Sequence, residues 1–304
     1  MPEEIDAPEH TRWDFDEGAE IVPGRYALKK LGGGSDYEAY LAWDDALFAL
    51  VVAKCMRPHL VGDSHATGSL TREADLLSRL NHPVVVRGYD SVLEGDRPHV
   101  VMEHLEGPNL ASLLRRYGPL PLEQLLPLTV QICSAVHYLG TNEVVHLDIK
   151  PRNIIMGAPP RLIDLSVARS FARARRITGH VGTDPYMAPE QCDLSRGHIG
   201  PEADVWGLGA TLFHAVTGEV PFPRPDYDRE VHKQDPVRRF PQLRERPQPF
   251  PKGVPVPVQE AIMGCLVADP AGRLAVREVV AAVEPLIAEL PRKPFLSRPR
   301  PGRR

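Results

Sequence analysis

The sequence predicts an α+β chain, β-rich with one helix in its first third and helical thereafter. Three observations predict it. Between residues 26 and 101 the apolar side chains fall in short or alternating runs of strand length, interrupted by a single helical stretch. Beyond Met102 the apolar spacing turns helical and stays so. The length of 304 residues fits one large domain with two lobes, or two small domains, and is enough to bury a substantial core.

The strand-like runs are residues 26–28, 38–42, 46–54 and 99–102. Between them Leu70, Ala74, Leu77 and Leu80 recur at spacings of four and three, which makes one apolar face of a helix over 70–80. The change of pattern places the join between the two parts near 103–107. Leu125, Leu128, Ile132, Val136 and Leu139 mark a long amphipathic helix, residues 204–216 are nearly all apolar as a buried helix would be, and Val276, Val279, Val280 and Val283 mark a late one. Residues 221–257 carry ten prolines and no periodicity, which predicts an ordered surface loop with at most short helices.

Composition excludes several classes. Charged residues make up 25% and hydrophobic ones 42%, an ordinary globular balance. A net charge of −4 argues against a general nucleic-acid binder. Cys55, Cys133, Cys192 and Cys265 stand at no CxxC spacing, so they read as isolated reduced thiols and not as a disulfide framework or a zinc site. The longest unbroken apolar run, 46–53, is far too short for a membrane span. The opening MPEEIDAPEH has neither the basic nor the apolar region of a secretory signal, so a cytoplasmic location is the expectation. Eight acidic side chains in the first twenty residues suggest a solvated acidic leader over 1–23. Six basic side chains and no acid in the last thirteen suggest a flexible basic tail over 291–304.

Six stretches carry candidate chemistry. In 31–42, LGGGSDYEAYLA, three successive glycines lie between strand-like runs; their backbone N–H groups could approach a phosphate, although a plain hairpin turn has the same signature. Lys54 closes a strand-like run and Glu73 sits on the predicted helix; taken singly, both are ordinary surface residues. The stretch 144–156, VVHLDIKPRNIIM, is more telling. An apolar strand delivers His146, Asp148, Lys150 and Asn153 in one short loop, and a second apolar strand follows. Asp164 then ends another apolar triplet, placed to share a metal with Asn153 across a hairpin. The sixth stretch is GTDPYMAPE, 182–190.

Taken together and in this order, these stretches resemble the eukaryotic-type serine/threonine protein kinases, and among them the bacterial branch, over about residues 24–290. The resemblance implies a bilobal protein-kinase-like fold with a small lobe over 24–102, a hinge over 103–107 and a large lobe over 108–290. It implies ATP and Mg²⁺ as cofactors. Leu31, Gly32, Gly33, Gly34, Ala39 and Val52 would surround the nucleotide, and the peptide groups of Glu103 and Leu105 would bind adenine, with Met102 in the gatekeeper place. Lys54, held by Glu73, would bind the α- and β-phosphates. Asn153 and Asp164 would be the metal ligands. Asp148 would orient the substrate hydroxyl, and Lys150 would neutralise the γ-phosphoryl group. Lys150 together with Thr183 is the Ser/Thr pattern and not the tyrosine one. Asp204 matches a buried helical aspartate, and Arg273 matches the late arginine that pairs with Glu190 of the APE motif. Protein substrates are the implied partners.

Three departures stand out. Tyr37 occupies the place of the third glycine and Ala39 that of a valine. Tyrosine tolerates positive φ poorly, so a stiffer or displaced loop and weaker ATP binding are expected. Leu147 replaces the arginine that in the family pairs with a phosphorylated activation-loop residue. Thr178, near Arg173, Arg175 and Arg176, is the candidate phosphosite, but its phosphate would lack that link to the catalytic loop. Asp164-Leu165-Ser166 replaces DFG, so flips of this segment are expected to be harder. These departures feed two rivals: a pseudokinase acting as a nucleotide-responsive scaffold, and a small-molecule phosphotransferase of the aminoglycoside type. The first usually lacks one of Lys54, Glu73, Asp148, Asn153 and Asp164; the second should lack the APE segment and Arg273.

Overall fold

The computed structural model describes residues 11–223 and 239–290. Its first part is a six-stranded antiparallel sheet in the order β1-β2-β3-β4-β6-β5, formed by β1 (Glu20–Val22), β2 (Arg25–Gly33), β3 (Tyr37–Asp44), β4 (Ala49–Met56), β5 (Gly88–Val92) and β6 (His99–Glu103). Period-two burial makes the strands. Tyr40 and Ala42 of β3 and Val51, Ala53 and Cys55 of β4 point to one face and are completely buried. They form a small core with Ile21, Ala27 and Val101. Tyr37, Met56, Val100 and Met102 join the opposite core, which runs on into the helical part.

The apolar run 46–54 is not one strand. The Asp44 carboxylate accepts the N–H groups of Ala46 and Leu47 and closes a turn there. Leu47 and Phe48 are exposed, Phe48 at φ 52°, and the strand starts only at Ala49 and continues to Met56. The single helix of this part, α1 (Ser64–Arg79), begins six residues before the predicted stretch because Asp63 caps it through the Ala66 N–H.

The leader also differs from the expectation. A solvated stretch is predicted before Gly24, yet Trp13 and Phe15 lie on the outer face of the sheet. Phe15 meets Tyr40 edge-on at 5.3 Å, and the Arg97 guanidinium covers the Trp13 and Phe15 rings. Trp13 donates its backbone N–H to Glu38 and its indole N–H to the Met56 carbonyl. The acidic count hides this because the apolar residues that dock, Trp13, Phe15 and Ile21, are spaced among the carboxylates. Residues 1–10 and the predicted tail 291–304 lie outside the described residues.

After β6 the chain crosses to α2 (Leu110–Tyr117) and the long α3 (Leu122–Thr141), which packs against α6 (Glu202–Thr217) and the helix Val276–Glu289; the helix Val256–Cys265 packs against both of those. Thirteen of the sixteen residues of α6 are buried, Ala203 to Phe213 without a break. Gly209 lets the helix Val256–Cys265 come close: a Cβ there would stand 2.5 Å from the Cys265 Cβ. Between α3 and α6 run the short strands β7 (Val144–Val145), β8 (Ile154–Ile155), β9 (Arg161–Leu162) and β10 (Arg169–Ser170), then the single turns α4 (Phe171–Ala174) and α5 (Pro189–Cys192). β8 pairs with β9, and β10 with β7. The architecture is the α+β, two-lobed one. Of the proline-rich stretch, 224–238 lies outside the described residues; beyond it Phe240 is buried against Met187 and Cys192, and a short turn forms at Pro241–Leu243. Among the described residues no helix is long and apolar enough to cross a membrane.

Candidate active site

The two lobes face each other across a cleft, and each contributes part of one polar cluster. In the small lobe β2 and β3 pair Gly32 with Ala39 and Gly33 with Glu38, and the Gly34 N–H donates to the Tyr37 carbonyl at 3.0 Å to close the turn. Gly33 has to be glycine, since a Cβ would stand 2.6 Å from that carbonyl oxygen. Across the ladder Ala39 pairs with Lys54, and Val52 pairs with Met102. Leu31 is exposed near the end of β2.

Lys54 Nζ donates to both carboxylate oxygens of Glu73 at 2.8 Å and to Asp164 Oδ1 at 3.2 Å. The helix α1 is therefore swung inward. Burial by itself would lower the Lys54 pKa, but the charges of Glu73 and Asp164 outweigh it and hold the ammonium protonated above its ordinary range. Asp164 moves the other way. Burial would raise it, while the Lys54 charge and the Ser166 hydroxyl bond hold it well below the usual carboxylate range. Asp164 is thus a carboxylate with its side chain still 38% exposed to the cleft. The Ser166 hydroxyl donates to Asp164 Oδ1 at 2.7 Å, a contact that a glycine could not make.

The large lobe builds the other side, around the loop from His146 to Asn153. Asp204, on the buried α6, accepts the N–H groups of His146 and Leu147 at 2.7 and 2.8 Å and so fixes the loop from below. His146 Nδ1 lies 3.3 Å from the Asp148 N–H and Nε2 lies 3.2 Å from the Ile163 carbonyl, an arrangement that assigns the ring proton to Nε2. Asp148 then receives three donors: Lys150 Nζ at 2.6 Å, the Thr183 hydroxyl at 2.7 Å and Asn153 Nδ2 at 3.1 Å. Lys150 also donates to the Thr183 hydroxyl at 2.6 Å, so Thr183 bridges the loop to the segment before Glu190. Asn153 Nδ2 bonds the Asp148 carbonyl as well, at 2.9 Å. Asp164 and Leu147 both stand at φ 69°, a region that side chains other than glycine seldom adopt and that tends to be held at functional sites.

At the cleft's edge Glu103 is fixed by its carboxylate, which accepts from the Arg87 N–H and from Arg161, while its own N–H donates to the Arg87 carbonyl. Among the described residues no hydrogen bond reaches the peptide groups of Leu105. Below the site Arg273 grips Glu190 with two bonds of 2.7 Å, both side chains almost wholly buried. The remaining guanidinium bonds go to the carbonyls of Glu202, Val267 and Ala268.

The structure revises one of the sequence's expectations and adds to another. Tyr37 is in β3 and is absent from the residues at positive φ, so the predicted backbone strain does not arise; its side chain turns inward and is buried. Leu147 is buried among apolar side chains, and its carbonyl accepts from Gln191 Nε2 at 3.0 Å. Two contributions escaped the sequence. Gln191, which ties Leu147 to the end of the activation segment, follows the APE motif with no pattern to mark it. Arg72 and Arg169 also went unnoticed. Arg175 and Arg176 are exposed, but Arg173 comes near Arg72 and Arg169 beside the activation segment. Burial first, and then their neighbours' charges, lower the pKa of both Arg72 and Arg169. The Arg169 hydrogen bonds run to the carbonyls of Ser166 and Ala168 and not to the catalytic loop.

Comparison with known proteins matches residues 26–283 to the protein kinase domain. The chain belongs to the protein kinase family. It is 34% identical over 209 residues to the serine/threonine-protein kinase PknB of Mycobacterium leprae, covering 65% of this chain and 33% of that one. It is 33% identical over 207 residues to the serine/threonine-protein kinase PrkC of Bacillus subtilis, covering 66% and 32%. It is 30% identical over 216 residues to the serine/threonine-protein kinase pkn2 of Myxococcus xanthus, covering 67% and 26%. The chain thus aligns with about a third of the length of these curated relatives. The family's fold agrees with the sheet-and-helix division described above.

Proposed function

We propose that the chain is a serine/threonine protein kinase that transfers the γ-phosphoryl group of Mg-ATP to Ser or Thr hydroxyls of protein substrates. The observation that carries this reading is the closed cluster itself: Lys54, Glu73 and Asp164 meet on one side of the cleft, while Asp148, Lys150 and Asn153 meet on the other. The names of the relatives support it.

The residues fit the cofactors. Mg²⁺ is a hard cation that takes oxygen ligands, usually one or two from the protein and the rest from phosphate and water. Asp164 and Asn153 offer a carboxylate and an amide oxygen, and Asp164 is ionised. Mg²⁺ bound there would neutralise charge on the phosphate oxygens. Lys54 would hold the α- and β-phosphates, and the glycine turn 32–34 would cover them with backbone N–H groups. Leu31, Ala39 and Val52 would flank the base, with the peptide groups of Glu103 and Leu105 at its edge.

In the transfer, Asp148 would orient the substrate hydroxyl and take its proton. That oxygen would then be placed to attack the γ-phosphorus, with the bond from phosphorus to the bridging oxygen breaking so that this oxygen departs with ADP. Lys150 would stabilise the charge of the moving group. The Thr183 hydroxyl now occupies the space between Lys150 and Asp148, close to where a substrate hydroxyl would be received. The scaffold reading loses weight because all five expected groups are present and engaged, Lys54 with Glu73 and Asp164, and Asp148 with Asn153. The small-molecule phosphotransferase reading loses weight because the Glu190–Arg273 pair is formed. The test is incubation with Mg-ATP and a generic basic protein, followed by identification of the modified residues. Phosphoserine or phosphothreonine in the substrate is expected. Nucleotide binding with no transfer to any protein would favour the scaffold instead.

A further inference from the structure

We propose that Tyr37 is a positioning residue: its ring supports the Lys54 ammonium and ties the Gly-rich turn to α1, so that the Lys54–Glu73 pair is preassembled before nucleotide arrives. The proposal rests on the kinase reading for its function, and on geometry for its substance.

Tyr37 stands where the family resemblance places a small residue, but the side chain does not crowd the cleft from the turn. It folds inward from the start of β3, only 8% exposed. Lys54 Nζ lies 5.0 Å from the centre of its ring, within the range of a cation–π contact. Its hydroxyl donates to the Ala66 carbonyl of α1 at 3.3 Å, with Ser69 of the same helix beside it. Ala66 lies seven residues before Glu73 and Ser69 lies four before it, so all three belong to one short helix. One ring therefore touches the lysine on the sheet and the helix that carries the lysine's partner. Burial pushes the phenol pKa up, so the hydroxyl stays a donor at neutral pH.

Lys54 has to be held with its charge largely out of water, at 14% side-chain exposure. Glu73 compensates that charge from one direction, and the electron-rich ring face does so from another. A small residue at position 37 would leave an apolar gap between β3 and α1, and the helix would be held to β4 chiefly by the salt bridge. A protein whose binding-competent arrangement is only partly populated binds its ligand more weakly in proportion to that fraction. The ring's loss is therefore expected in nucleotide affinity, with a smaller change in kcat once nucleotide is saturating.

The experiment measures Mg-ATP affinity by calorimetry for the parent, Tyr37→Phe and Tyr37→Met, each also in a Glu73→Gln background. Methionine fills similar space without a π face. Tyr37→Met is expected to weaken binding about tenfold, the size of a partly desolvated cation–π contact, while Tyr37→Phe stays within about threefold. In the Glu73→Gln background Tyr37→Met should weaken binding much less, because the pair it supports is already broken. An equal loss in both backgrounds, no loss in either, or a Tyr37→Phe loss as large as that of Tyr37→Met would overturn the proposal. Thermal unfolding separates these results from a folding defect, and if Tyr37→Met does not fold, Tyr37→Leu takes its place. Because the readout is binding, a parent that binds nucleotide without transferring phosphate would refute the kinase reading and leave this test intact.

Discussion

Asp148→Asn is expected to lower phosphoryl transfer about a thousandfold, within the range that a positioned acid–base group contributes. The carboxylate gathers Lys150, Thr183 and Asn153 around two oxygens. An amide keeps the shape and one acceptor, but its NH₂ faces donors and cannot take a hydroxyl proton. The phosphate side of the cleft, Lys54 with Glu73 and Asp164, does not touch Asp148 and stays assembled. Mg-ATP binding should therefore remain within a few-fold of the parent, so the loss falls on kcat. Steady-state kinetics and calorimetry on the same preparation check both halves. A parent-like rate would remove Asp148 from the reaction, and a parallel collapse of binding would make its role structural.

Arg273→Ala is expected to cost about 3–5 kcal/mol of stability, because it leaves the Glu190 carboxylate charged and buried without its partner. Arg273 meets five acceptors: the two Glu190 oxygens and the carbonyls of Glu202, Val267 and Ala268. Its guanidinium also lies over the Trp206 ring. Those contacts fasten the end of the activation segment to α6 and the loop before Ala275, so activity should fall with stability. In a chain of this size such a loss lowers Tm by roughly 5–8 °C. The double variant Glu190→Gln with Arg273→Met should recover part of it, since no uncompensated charge remains. Chemical denaturation gives the free energies. A single variant within about 1 kcal/mol of the parent would show that the pair carries no structural weight.

Much of this arrangement was legible before the fold because it is written locally. Helix spacing in Leu125, Leu128, Ile132, Val136 and Leu139 needs only the 3.6-residue period, and α3 covers it. The short loop from His146 to Asn153 concentrates polar types that two apolar strands would not otherwise tolerate. What was not legible depends on residues far apart or on turns closed by one side chain. Nothing near Asp44 says that its carboxylate will cut an eight-residue apolar run with a turn. The inward path of Tyr37 depends on α1, about thirty residues on, and position 37 alone suggested only steric trouble. Arg72 and Arg169 are separated by almost a hundred residues and meet only when α1 packs beside the activation segment.

The docking of residues 11–22 bears on where this protein can be cut. The family match starts at residue 26, and a truncation at Gly24 looks natural from the motifs. Such a cut removes the Trp13 N–H from Glu38, a carboxylate with no exposure that also receives Lys30, Tyr40 and Arg57. It also strips Trp13, Phe15 and Ile21 from a sheet face made of Tyr40, Ala42, Val51 and Ala53. A contiguous apolar face opened to water favours self-association over solubility. The shortened chain should therefore show concentration-dependent light scattering that the full chain does not, and equal scattering would mean the face stays covered by other means. The folded unit begins upstream of the unit that the motifs delimit.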